Sequence, residues 1–181
     1  MKHLSTKIDK NFSYSNIIKK VNFKETSEIT FEYISDFRSA KILRDFIGEL
    51  AQKLNIDKLW EKRLILIVDE LNNNAIEYWT KPWDYNKLKV FFKFENDEID
   101  LQIEVIDKWN GKMPKTSKEM EQIRQKKENN MSATDYKAIR WRWLFMIISQ
   151  LVDEIYFKDA PKWGLIVWIR KKLKINKNTN K

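Results

Sequence analysis

The chain has 181 residues, 43% of them hydrophobic, with a formal net charge of +9 and no cysteine. That length suffices for one domain with a proper core, and the composition excludes a disulfide framework, a thiolate metal site and, with His3 the sole histidine, classical zinc chemistry. The positive balance invites a nucleic-acid partner, but it is concentrated at the ends: residues 1–24 hold six lysines against Asp9, residues 170–181 hold Arg170 and five lysines, and the stretch between is slightly acidic.

No apolar run reaches the length of a bilayer span and no signal-like apolar segment opens the chain, so the expectation is a cytoplasmic, bacterial-type protein without a membrane partner. Residues 1–24 are rich in Lys, Asn and Ser and lack sustained periodicity, which reads as a basic, loosely docked extension. Residues 27–34 alternate through Ile29, Phe31 and Tyr33 and predict a strand. Ser35 or Asp36 can cap a helix whose apolar stripe is Phe37, Ala40, Leu43, Phe46, Ile47, Leu50 and Leu54, with Asn55 ending it. Asp57 caps the next helix, striped by Leu64, Ile67, Val68, Leu71, Ala75 and Tyr78. Beside that stripe Glu70 and Asn74 lie one turn apart and share a direction. The run Asn72, Asn73, Asn74 is a poor choice for helix propensity, which points to selection for something else.

Pro82 and Asp84 then break both periodicities. Residues 87–95 and 98–106 alternate and are joined by Asn96 and Asp97, a strong hairpin pattern. The second strand runs directly into Asp107. Residues 115–138 are charged and weakly patterned and read as a lid-like loop. A helix with Leu144, Ile147, Ile148 and Leu151 on one face follows, then a hairpin of residues 152–158 and 163–169 about Ala160 and Pro161, and a basic tail over 173–181. The order predicts an α+β fold, a two-layer sandwich of helices on one face of a mainly antiparallel sheet.

Three pieces stand out together: Glu70 and Asn74 on a helix, Asp107 at a strand end, and a turn entering a helix at residues 141–145. Taken singly each is ordinary, since E-x-x-x-N is common and Asp often starts a turn. In this order, with these strands between them, they resemble the ATP-binding domain of the Bergerat-fold, histidine kinase-like ATPases, and most closely the anti-sigma-factor serine/threonine kinases of bacterial partner-switching systems. The resemblance covers about residues 27–172 of an ATP-binding domain placed at 25–172. The family's E-x-x-x-N-A is matched by Glu70, Asn74 and Ala75. Its D-x-G-x-G is matched by Asp107 and Gly111, with Trp109 at the first glycine. Its G-R-G-L-F is represented by Trp141, Arg142, Trp143, Leu144 and Phe145.

The resemblance implies ATP and Mg²⁺ as cofactors, Glu70 as catalytic base, Asn74 as magnesium ligand and Asp107 as reader of the adenine amine. Trp109, Gly111, Trp141, Arg142, Trp143, Leu144 and Gly164 would lie around the nucleotide. Leu165 departs from the family, which often has Thr there. The implied partners are a sigma factor and a STAS-type anti-anti-sigma protein that the kinase phosphorylates, and homodimerisation fits the family. The alternative is a non-catalytic partner-switching module whose nucleotide site has degenerated. A nucleic-acid binder using the basic ends through phosphate contacts is a third class, and the slightly acidic body argues against it.

The tryptophans depart from the family systematically. Trp79, Trp83 and Trp163, as well as Trp109, Trp141 and Trp143, stand where the family has glycine, while Trp60 and Trp168 are positions that tolerate it. A chain of this length has roughly 13 glycines at about 7% usage; this one has 3 Gly and 8 Trp. The expectation is that these codons are UGA, read as glycine in the native genome and rendered here as tryptophan. The kinase assignment is tied to glycine at 109, 141 and 143, because Trp adopts φ > 0 only at a cost and its bulk fills a cleft.

Overall fold

The computed structural model describes residues 1–9, 12–23, 25–129, 148, 150–160 and 164–176. Its six strands are β1 (Lys2–Lys7), β2 (Ser27–Ile34), β3 (Tyr85–Glu95), β4 (Glu98–Ile106), β5 (Glu154–Asp159) and β6 (Leu165–Lys174). They form one sheet in the order β1-β2-β3-β4-β6-β5, with β1 parallel to β2 and every other pairing antiparallel. The described residues include the helices α1 (Ser15–Ile18), α2 (Phe37–Lys53), α3 (Lys58–Asn74) and α4 (Ser117–Asn129), and α3 continues into a π-turn over Ala75–Trp79. The fold is α+β, a two-layer sandwich.

Local chemistry sets the helix ends. Asp36 accepts a hydrogen bond from Ser39 N–H at 2.7 Å, and Asp57 accepts from Leu59 and Trp60 at 2.9 and 3.1 Å, so each carboxylate satisfies N–H groups that the first turn leaves without intrahelical partners. Asn55 ends α2 in the left-handed region at φ 54°, and Asn96 takes φ 57° at the β3–β4 turn. Asn tolerates that region better than most residues.

The period-two pattern of β2 places Ile29, Phe31 and Tyr33 on the helix-facing side, all fully buried. Phe31 meets Phe46 of α2 edge-to-face at 4.7 Å, and the α2 and α3 stripes of Leu43, Leu50, Leu64, Ile67 and Leu71 complete this layer of the core. The opposite face carries ion pairs, Lys7–Glu32, Lys87–Glu32 and Lys89–Glu104, and the stacked rings of Tyr156 and Trp168 at 4.5 Å.

Three segments differ from the sequence expectation. The 1–24 extension contains β1 and α1, and Ile8, Ile17, Ile18 and Val21 are buried; β1 is held by backbone pairing to β2, which leaves little trace in side-chain pattern. Within the expected lid-like loop, residues 117–129 form α4. Thr116 and Glu119 cap it reciprocally: Glu119 Oε2 accepts from Thr116 N–H at 2.8 Å and Thr116 Oγ1 accepts from Glu119 N–H at 3.2 Å. Its Met120 is fully buried. Finally, β6 runs on to Lys174, so the basic end begins inside the sheet. Arg170 there makes a two-pronged pair with Asp100 at 2.8 and 2.9 Å and also reaches Glu154, while Lys171 pairs with Asp153 and Lys172 with Glu95. These cations are already matched by carboxylates. In the expected helix after residue 143, Ile148, Gln150 and Leu151 are helical and Val152 N–H bonds the Ile148 carbonyl at 2.9 Å.

Candidate functional site

The site is built where α3, the segment after β4 and the start of β6 converge. Asp107 follows β4 directly and is 1% exposed. Its backbone N–H continues the ladder to the Leu165 carbonyl at 3.1 Å. Its Oδ1 accepts from Trp109 N–H at 2.7 Å and from Leu165 N–H at 3.2 Å. Its Oδ2 is buried and has no hydrogen-bond partner among the described residues. Burial pushes the carboxyl up to about 7, against the pull of the two backbone N–H groups. A buried carboxylate oxygen without a donor is costly and asks for a ligand that brings one.

Glycine makes the neighbourhood possible. A Cβ on Gly164 would stand 2.3 Å from Asp107 Oδ1 and 2.6 Å from Trp109 Cβ, so only Gly lets the start of β6 approach the carboxylate. A Cβ on Gly111 would meet backbone on the other side, 2.4 Å from the Tyr78 carbonyl oxygen and 2.5 Å from Trp79 C. The turn after Asp107 is thereby pressed onto the end of the π-turn. Asn110 and Gly111 N–H both donate to the Trp79 carbonyl, at 3.0 and 2.9 Å, and Met113 N–H donates to that of Tyr78 at 2.9 Å.

Glu70 and Asn74 lie on the last turns of α3, immediately before that π-turn. Asn74 is 6% exposed and its Nδ2 donates to the Glu70 carbonyl at 2.8 Å, which leaves its Oδ1 as the atom for a cation. Single-turn π-bulges inside helices are rare and recur at functional sites. The structure thus brings Asp107, Trp109, Gly111 and Gly164 together and joins them through the Trp79 carbonyl to the end of the helix bearing Glu70 and Asn74. Trp141, Arg142, Trp143 and Leu144 lie outside the described residues, as does Trp163. Among the described residues no group of three His, Cys, Asp or Glu is placed to hold a metal, so a cation here would draw on Asn74 and on oxygens of its own ligand.

Several supporting residues were given no role at the site from sequence. Asn72, the first of the asparagine run, is fully buried; its Oδ1 accepts from Tyr33 O–H at 2.5 Å and its Nδ2 donates to the Val68 carbonyl at 2.7 Å. Tyr33 is held well above its usual range, first by burial and then by the Asp107 charge, so its hydroxyl remains a donor. Thr80 Oγ1 donates to Asn86 Oδ1 at 2.5 Å and accepts from Lys108 N–H at 3.0 Å. Asn110 accepts from Lys81 N–H at 2.9 Å and donates to Asp84 at 2.8 Å, holding the Asp84 carboxyl below its usual range. A buried Tyr on an inner strand face needs a partner for its hydroxyl, but nothing near Tyr33 in the sequence names Asn72, thirty-nine residues away, as that partner. Beyond Gly111, on the other side of the turn, lies a cavity of about 450 Å³ lined by Ser35, Phe37, Ile76, Thr80 and Trp83; Glu70, Asn74 and Asp107 are not in its wall.

No family model matches the chain, and no curated protein is significantly similar to it. Among the described residues no helix is long and apolar enough to cross a membrane.

Proposed function

We propose that this protein binds ATP with Mg²⁺ at the Asp107 site and acts as an anti-sigma serine/threonine kinase, transferring phosphate to a STAS-type anti-anti-sigma partner and sequestering a sigma factor. The observation that carries the reading is the buried Asp107 Oδ2, an acceptor without a donor, beside a backbone that only glycine at 164 permits. An exocyclic amine is the donor such an oxygen lacks, and adenine has one. Asn74 Oδ1 would take the cation, a hard ion suited to a carbonyl oxygen. Glu70, one turn back, would accept the proton of the substrate hydroxyl. The bound nucleotide supplies the transferable phosphoryl group.

One observation favours the non-catalytic module instead. With Trp at 109 a large side chain begins beside Gly164, its Cβ 2.6 Å from where a Cβ on Gly164 would stand, next to the carboxylate a purine would have to reach. The two readings separate on a chain with glycine at 109, 141 and 143. Adenine-nucleotide binding and partner phosphorylation that are lost in Glu70→Gln and Asn74→Ala support the kinase. Binding without transfer supports the module, and absence of any nucleotide binding by that chain overturns the nucleotide site itself.

A further inference from the structure

Four described residues other than glycine have positive φ: Asn55 at 54°, Asn96 at 57°, Trp83 at 69° and Trp109 at 52°. The asparagines end a helix and turn a hairpin, roles in which Asn visits the left-handed region readily. The tryptophans have no such excuse. A large side chain with a Cβ crowds the adjacent carbonyl there, and neither indole offers the short polar group that compensates in Asn. Nor does packing hold them: Trp83 is 75% exposed and Trp109 49% exposed, among the most exposed large apolar residues described.

The other described tryptophans differ on both counts. Trp60 lies in α3 beneath the Arg63 and Lys171 cations, at 4.9 and 4.7 Å; Trp168 stacks on Tyr156 within β6; Trp79 is buried in the π-turn. All three have negative φ, so the backbone makes no demand for glycine at any of them. Conversely, none of the three glycines has positive φ. Among the described residues the left-handed sites, the places where glycine has the strongest claim, are filled by two asparagines and two exposed tryptophans.

We infer that positions 83 and 109 are glycine sites and that the natural protein carries glycine at both. The backbone argument stands without the nucleotide reading. The consequence for ligand access at 109 rests on it: residue 109 stands beside Gly164 and the Asp107 carboxylate, its Cβ 2.6 Å from where a Cβ on Gly164 would be.

The test isolates the backbone by comparing glycine with alanine, both of which remove the indole. Trp83→Gly is expected to have a folding equilibrium constant about threefold above that of Trp83→Ala, and Trp109→Gly about threefold above Trp109→Ala, the relief of left-handed strain less glycine's added freedom when unfolded. At Trp60, in a right-handed helix, the order reverses, alanine exceeding glycine about fivefold. Alanine variants as stable as the glycine ones at 83 and 109 overturn the inference. So does a tryptophan residue at either position in peptide masses of the protein isolated from its natural source, where glycine is expected. Nucleotide binding by Trp109→Gly is read separately. If the stability order holds and adenosine nucleotides still do not bind, the glycine sites stand and the nucleotide reading falls.

Discussion

Asp107→Asn is the most informative single change in this molecule. In the folded chain burial pushes the Asp107 carboxyl up to about 7, whereas an unperturbed Asp titrates near 3.9. The raised value reverses the usual carboxylate pattern. Between about pH 4 and pH 7 the unfolded chain has lost this proton while the folded chain keeps it, so the Asp107 contribution to stability is fully present below the unfolded value and is lost as pH rises toward 7. At 1.36 kcal/mol per unit, the loss between pH 5 and pH 8 is about 3 kcal/mol. The amide of Asn cannot ionise, yet its oxygen can still accept from Trp109 and Leu165 N–H. Its nitrogen takes the place of Oδ2, which has no partner to lose among the described residues.

Urea unfolding at both pH values checks this. The variant should match the parent near pH 5 and exceed it at pH 8 by about 3 kcal/mol, about 1 M in midpoint at an m of 2–3 kcal/mol/M. Every other titratable group is common to both chains, so its contribution cancels in the double difference. The same change should abolish adenine binding in a glycine-restored chain, because an amine donor then faces an amide donor. In that chain with Asp107 intact, adenine affinity should fall tenfold per pH unit below about 7, where the acceptor protonates. A stability difference between parent and variant that is equal at pH 5 and pH 8 refutes the reasoning.

Gly111→Ala and Gly164→Ala should each cost about 3 kcal/mol or prevent folding, since a Cβ there meets backbone or the Asp107 carboxylate inside 2.6 Å, whereas Gly48→Ala meets only the Ile65 side-chain tip at 3.2 Å and should stay within about 1 kcal/mol; chemical denaturation ranks the three. Tyr33→Phe removes the donor to Asn72 Oδ1 in a fully buried setting and should cost about 1–3 kcal/mol by the same measurement. Asn74→Ala breaks one bond to the Glu70 carbonyl while improving helix propensity, so stability should move by less than about 1 kcal/mol, but in a glycine-restored chain magnesium should no longer strengthen nucleotide binding in titration calorimetry.

What the sequence revealed follows the range of the interactions. Asp36 and Asp57 were readable as caps because a cap is settled within three residues, and the Asn96–Asp97 hairpin because turn chemistry and flanking alternation sit side by side. The capping box of Thr116 and Glu119 was equally local, but among the described side chains of α4 only Met120 is fully buried, with Ile123 partly so, and that stripe is too thin to outweigh the charges. β1 is held by main-chain pairing to a strand twenty-five residues later, which no side-chain pattern records. Asn72 needed Tyr33, thirty-nine residues away, to acquire a meaning. Its buried bond leaves Asn74 as the member of the run beside the π-turn.

Glycine is where the two kinds of legibility part. A chain needs glycine either because a Cβ has no room or because φ is positive, and these demands fall on different residues here. The room demand is met by Gly111 and Gly164, whose missing side chains let the turn after β4 and the start of β6 close around Asp107. The φ demand at 55 and 96 is met by asparagine, and at 83 and 109 it falls on tryptophan. Composition alone weighs all eight tryptophans alike, whereas the backbone singles out two of those described and exempts Trp60, Trp79 and Trp168. The site at Asp107 therefore joins a glycine the sequence retains, Gly164, to a position, 109, whose conformation calls for another.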